Sequence, residues 1–225
     1  MRGREVTRLE GFSDAVFGFA LTLLVVSLEV PESFPALKQT LSGFLPFAAT
    51  FAVVGWIWFE HYLFFLHFKV QDNLTVFLNL VLLFVVLFFA YPLKFVLTRL
   101  VGRWTGYGLP EGGADFTSFS AADARLLMVA YSAGFVAVFA ILALFYWNAL
   151  RQREELRLTK LDVFDARGGL RRHLLSVAIG VASIALALVL PMRLFGLAGF
   201  IYFLLGPVQA VNGHRNGVAR ARLTA

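Results

Sequence analysis

What most constrains this chain is the recurrence of long stretches that carry no charged side chain, at 39–59, 73–93, 126–150, 173–192 and 194–214. A helix needs roughly 20 apolar residues to cross the hydrocarbon core of a bilayer. No water is available there to satisfy backbone N–H and C=O groups, so spanning segments of this kind must be helical. Only 15% of the residues are charged, against roughly 25% in soluble domains. That leaves too little polar surface to coat a water-facing globule, so most of the chain faces lipid or other helices. The gaps between the apolar stretches are short and leave no room for a sizeable soluble domain. The expectation is an all-α membrane protein, one domain over 1–225, with six transmembrane helices at about 8–29, 39–64, 72–100, 122–150, 171–190 and 193–213.

The first span differs from the rest. Only Ala15 to Leu28 is free of charge, with Asp14 and Glu29 at its ends. This is too short to cross alone, so the helix must continue through Asp14 towards Arg8. An ionisable group at that depth faces protein or a water-filled path, not lipid. The first helix is therefore expected at the centre of the assembly. Pro46 and Gly55 suggest a kink in the second span, and Pro191 with Arg193 separates the last two.

Several functions are excluded or disfavoured. The chain has no cysteine, which removes disulfides, iron–sulfur clusters and thiolate zinc sites. Its four histidines, at 61, 67, 173 and 214, are scattered. No metal site, cofactor or nucleophile–base pair is expected, and the chain does not read as an enzyme. The net charge of +6 sits in basic residues at the ends of apolar runs, which marks topology and not nucleic-acid binding. The segment Met1 to Glu10 mixes acidic and basic residues and reads as the start of a retained helix, not a signal peptide. With the amino terminus inside, 14 Lys and Arg fall on the cytoplasmic side against 6 outside, which predicts both termini in the cytoplasm. The cluster from Arg151 to Arg172 dominates that count. It reads first as a topology anchor, with a lipid-headgroup or partner site as the alternative.

Two blocks of residues carry a more specific signal. Arg8, Phe12, Ser13 and Asp14 lie in the string Thr-Arg-Leu-Glu-Gly-Phe-Ser-Asp-Ala-Val-Phe. Taken alone, Ser13 and Asp14 are of the types that cap helices. The second block is Trp58 and His61, then Phe64, at the end of the second span, with Asn79 and Pro92 along the third. Together, over roughly 8–93, these blocks resemble the lysosomal potassium channel family, transmembrane protein 175, and its prokaryotic relatives. The resemblance implies a potassium-permeable channel in the plasma membrane, assembled as a homotetramer in lipid with the first helices lining the pore. It also implies apolar constricting rings, and a threonine layer concerned with cation preference. Two positions depart from the family pattern: Phe19 stands where an aliphatic residue is usual, and Tyr62, not a second histidine, follows His61.

The residues make the same picture physically reasonable. At about 100° per residue, Phe19, Leu23 and Val26 share one helical face with Thr22 at its margin. Around a fourfold axis they would form apolar rings that block ions by dewetting, with Thr22 hydroxyls offering oxygen to a cation. The same stripe would also serve as helix-packing surface. Arg8, Ser13, Asp14, Trp58, His61 and Asn79 are expected to form a polar network joining the first three helices, since a buried carboxylate is costly unless paired. Thr105-Gly106-Tyr107-Gly108 is similar to a potassium-filter string, but it is one residue short and sits in a polar, glycine-rich loop. It reads as an extracellular turn. The competing readings are a secondary transporter or proton-coupled carrier, a membrane-embedded enzyme and a non-conducting scaffold. No internal repeat of the kind many transporters show is evident.

Overall fold

The structure is a computed structural model that describes residues 6–26, 31–105 and 120–224, and every regular element in it is a helix. Helix α1, Arg8–Val26, opens on a reciprocal cap. Thr7 N–H donates to Glu10 Oε2 at 2.8 Å and Glu10 N–H to Thr7 Oγ1 at 3.2 Å, the capping-box arrangement. Ser13 and Asp14 thus lie inside the helix and are free to reach other helices. A short α2, Phe34–Ser42, ends at Gly43, and α3 runs Phe44–Phe68. Pro46 falls in the first turn of α3, where its missing N–H has no intrahelical acceptor to lose. Helix α3 stops at Lys69, whose φ of 47° is left-handed, and whose N–H donates to the Phe65 carbonyl.

Helix α4, Asn73–Thr105, starts under Asp72. The Asp72 carboxylate accepts from Thr75 and from Asn148 Nδ2 at 2.9 Å, tying the start of α4 to the end of α5, Ala121–Arg151. Helix α6, Lys160–Val189, begins with a second capping box between Thr159 and Asp162 and runs antiparallel to α5. Close approach of that pair requires glycine. A Cβ on Gly169 would stand 2.3 Å from the Tyr146 ring, and one on Gly180 2.6 Å from Val136. Small residues at such crossings let membrane helices pack closely.

The last span is interrupted. A 3-10 turn at Met192–Leu194, α7 at Gly196–Phe200 and another 3-10 turn at Ile201–Leu204 lead into α8, Leu205–Thr224. The irregular backbone is held by polar side chains: Ser183 Oγ donates to the Ala198 carbonyl at 2.7 Å, and Tyr202 OH to Ser132 Oγ at 2.9 Å. At the end of α6, the Arg125 guanidinium donates to the carbonyls of Ala187, Leu188 and Leu190 at 2.7–2.9 Å. A cation there satisfies orphan acceptors and complements the helix dipole.

Among the described residues five stretches are long and apolar enough to cross a bilayer: 44–68, 73–101, 121–151, 160–189 and 192–221. The 19 described residues of α1 supply the sixth, about 28 Å at 1.5 Å per residue. The core is aromatic, with Phe64, Phe65, Phe139 and Phe145 fully buried between α3 and α5. Only 6% of the apolar window in the last span is buried, so that span lies on the outside of the protomer. Glu29, the turn from Gly106 and the side chains of Val26 and Thr105 lie outside the described residues.

Candidate functional site

Helix α1 has two unlike faces. Ser13, Phe17, Ala20 and Leu24 recur at helical spacing and are buried against α3 and α4. The opposite face is open. Phe12 and Phe19 are 50% and 58% exposed, and Ala15 and Thr22 are exposed beside them. Leu23 is half-buried at the edge of this open face. Thr22 Oγ1 donates to its own helix, to the Phe19 carbonyl, at 2.8 Å. That leaves the oxygen lone pairs pointing outward and available to a cation or water. Packing within one protomer therefore accounts for one stripe of α1 and leaves an apolar stripe, broken by a hydroxyl, without a partner among the described residues.

The buried stripe carries a polar contact chain. His61 Nε2 lies 2.7 Å from Asn79 Oδ1, and Asn79 Nδ2 donates to Ser13 Oγ at 2.9 Å. Ser13 Oγ in turn donates to the Leu9 carbonyl at 2.8 Å. All three side chains are buried. With the proton on His61 Nε2, each donor in the chain meets an acceptor, so α3, α4 and α1 are held by one directional series. Trp58 Nε1 donates to Asp14 Oδ1 at 2.8 Å, at the exposed rim of the same contact, while its ring stacks on Tyr62 with centroids 5.7 Å apart. Arg8 stands apart: it is exposed, and among the described residues it has no ion-pair partner. Asp14 is therefore hydrogen-bonded by an indole and is not paired with Arg8.

A second polar centre escaped sequence reasoning. Glu60, one residue before His61, faces the other side of α3 and is only 4% exposed. Arg172 of α6 approaches its Oε2 at 2.9 Å, Trp56 Nε1 donates to its Oε1 at 3.2 Å, and buried His173 lies 3.7 Å away. The Arg172 contact is an ion pair whose atoms do not align as a hydrogen bond. Among the described residues, Glu60 Oε2, Arg172 Nε and both ring nitrogens of His173 lack hydrogen-bond partners. The available signal was a carboxylate embedded in the string Trp-Ile-Trp-Phe-Glu-His, inside an otherwise apolar helix. Among the described residues no group of His, Asp or Glu is arranged to hold a metal ion.

A six-helix chain with five apolar spans besides its first helix, whose exposed apolar seam is braced from behind by Ser13, Asn79 and His61, belongs to the class of multi-pass membrane proteins. The chain is a member of the TMEM175 family: the model of the endosomal/lysosomal potassium channel TMEM175 matches residues 8–89. A protein of Marivirga tractuosa named "Potassium channel" is 38% identical over 99% of this chain and 92% of its own length. The crystal structure of a single-substitution variant of the potassium channel MtTMEM175, in complex with a nanobody fusion protein, superposes with a TM-score of 0.84 at 37% identity. It covers 96% of this chain and 95% of that one. A lysosomal potassium-selective channel TMEM175 homologue from Chamaesiphon minutus gives a TM-score of 0.59 at 22% identity, over 93% and 96% of the two chains. That match supports the fold alone.

Proposed function

We propose that this chain is a potassium-permeable channel in which four copies bring their α1 helices around a common axis. One observation carries the reading. The face of α1 opposite the buried stripe is uncovered and apolar apart from the Thr22 hydroxyl, with Phe12, Phe19 and Thr22 exposed on a helix whose other face is held by both hydrogen bonds and packing. A hydrophobic ring narrow enough to shed water closes a pore to ions. Phe19, Leu23 and Val26 are assigned to such rings, and the Thr22 hydroxyls, between the first two, to contact with a partly dehydrated K⁺. Ser13, Asn79 and His61, with Trp58 on Asp14, fix the rotation of α1 so that this face meets the axis. The relatives named as potassium channels support the permeant ion. The surplus of Lys and Arg on one side supports a plasma-membrane orientation with both termini in the cytoplasm.

The test is passive flux in proteoliposomes under K⁺ and then Na⁺ gradients, for wild type and for Thr22→Ala and Leu23→Ala. K⁺ flux should exceed Na⁺ flux, Thr22→Ala should narrow that difference, and Leu23→Ala should raise the rate. Protein that assembles as four chains yet passes neither ion, or exchanges them only by saturable counter-transport, would replace the channel by a carrier.

A further inference from the structure

The turn between α5 and α6 forms an open groove of about 420 Å³ lined by Arg153, Leu158, Lys160, Val163, Phe164 and Arg167. Lys160, Val163, Phe164 and Arg167 follow at spacings of three and four, and so share one face of α6. Arg153 and Leu158 come from the turn and form the facing wall. The groove thus has an apolar floor and three cations on its rim.

Two nearby carboxylates, Asp162 and Asp165, are engaged elsewhere, and Glu155 is exposed on the turn. Asp162 accepts from Thr159 N–H at 2.8 Å and Oγ1 at 2.7 Å, and Asp165 is held by the Arg220 guanidinium at 3.0–3.2 Å. Glu154 meets Arg153 only at 3.9 Å, on the solvent side. Among the described residues Lys160 and Arg167 form no ion pair. Depth in the bilayer can be read along α5. Arg125 is fixed at its outer end, on the last carbonyls of α6. Arg151 lies about 39 Å further on at 1.5 Å per residue, which is close to the roughly 40–45 Å of a bilayer with its headgroups. Exposed Trp147, with the Arg151 guanidinium 5.9 Å from its ring, is the kind of aromatic that sits at this boundary. The groove therefore opens into the headgroup layer.

We propose that it binds the phosphate headgroup of an anionic phospholipid in the leaflet that the α5–α6 turn meets. Arg153, Lys160 and Arg167 contact the phosphate, and Leu158, Val163 and Phe164 contact the glycerol and upper acyl segment. Topology alone requires cations on this side of the membrane. It does not require three of them, from two segments, to ring an apolar floor.

The experiment counts bound lipid by native mass spectrometry on protein released from micelles that contain phosphatidylglycerol and phosphatidylcholine. Wild type should retain phosphatidylglycerol in preference. The triple variant Arg153→Gln, Lys160→Gln, Arg167→Gln should lose at least tenfold of it, whereas Lys69→Gln, Arg151→Gln, Arg157→Gln, with equal charge removed outside the groove, should keep it. Equal loss in both triples would overturn the site in favour of diffuse surface charge, and no loss in either would overturn it outright. Glycerol phosphate added at millimolar concentration should not displace the lipid; displacement would assign the groove to a soluble phosphate. Should the triple variant not fold, exposed Arg167→Gln alone should lose about threefold, and unchanged retention would contradict the proposal.

Discussion

Two adjacent residues of α3 anchor two different polar centres. His61 turns towards α1 and α4, where its contact with Asn79 continues to Ser13 and the Leu9 carbonyl in one hydrogen-bonded series. Glu60 turns towards α6, where Arg172 neutralises it while four nitrogen and oxygen atoms of Glu60, Arg172 and His173 stay without hydrogen bonds. The first centre is closed and specifies one rotation of α1. The second is open, and a buried ion pair of this kind is weak support for stability because desolvation offsets its attraction. Our hypothesis is that Glu60 sets the register of α3 on α6, with stability coming from the aromatic packing around it.

The largest effect should come from breaking the open centre on one side. Glu60→Leu strands the Arg172 guanidinium. Removing one partner of a buried pair costs about 3–5 kcal/mol, and the expectation here lies at or below the low end because Arg172 is 33% exposed. Unfolding of the detergent-solubilised protein measures it. The double variant Glu60→Leu, Arg172→Leu should recover most of the loss, and a double variant as unstable as the single one would show that the pair itself stabilises.

Breaking the closed centre sharpens the contrast. Asn79→Leu removes the acceptor for His61 and the donor to Ser13, an expected cost of about 1–2 kcal/mol. Ser13→Ala should not restore it, because His61 remains unpaired. Recovery in that double variant would mean that His61 does not depend on Asn79. A smaller effect is expected at the rim. Trp58→Phe keeps the stacking on Tyr62 and loses only the bond to Asp14, for about 0.5–1 kcal/mol.

The smallest effect concerns pH, through a group outside both centres. Burial works to raise the Asp72 pKa, but hydrogen bonds from Thr75, Gln152 and Asn148 outweigh it and hold the carboxyl below the usual aspartate value. The stability it adds is complete above that usual value and fades as pH falls through the lowered folded one. Asp72→Asn should therefore lower stability slightly at neutral pH and flatten the acid limb of the unfolding profile, with the two proteins converging at low pH.

Helix number and membrane character were legible because charge-free runs of span length have few other uses. The His61, Asn79 and Ser13 positions were legible as polar residues in apolar helices, yet their order of bonding was not, since it depends on how three helices rotate against each other. Glu60 was missed for a related reason. The span expected at 39–64 contains it, but its partners Arg172 and His173 lie on α6, distant in sequence. Ser13 and Asp14 looked like caps locally because the competing box at Thr7 and Glu10 was not weighed. Periodicity put Leu23 on the α1 stripe with Thr22 at its margin. In the structure the burial of Ser13, Phe17, Ala20 and Leu24 centres the open face on Ala15 and Thr22, with Leu23 at its edge.

The absence of cysteine from the chain makes the most direct test of the pore assignment simple. Phe19→Cys, Thr22→Cys and Phe17→Cys would each be reconstituted and treated with a charged, membrane-impermeant thiol reagent while K⁺ flux is followed. Rapid modification and block are expected at positions 19 and 22 and none at buried position 17. Flux that proceeds while positions 19 and 22 stay unreactive would place that face of α1 against lipid or a dry helix interface, and would contradict the pore.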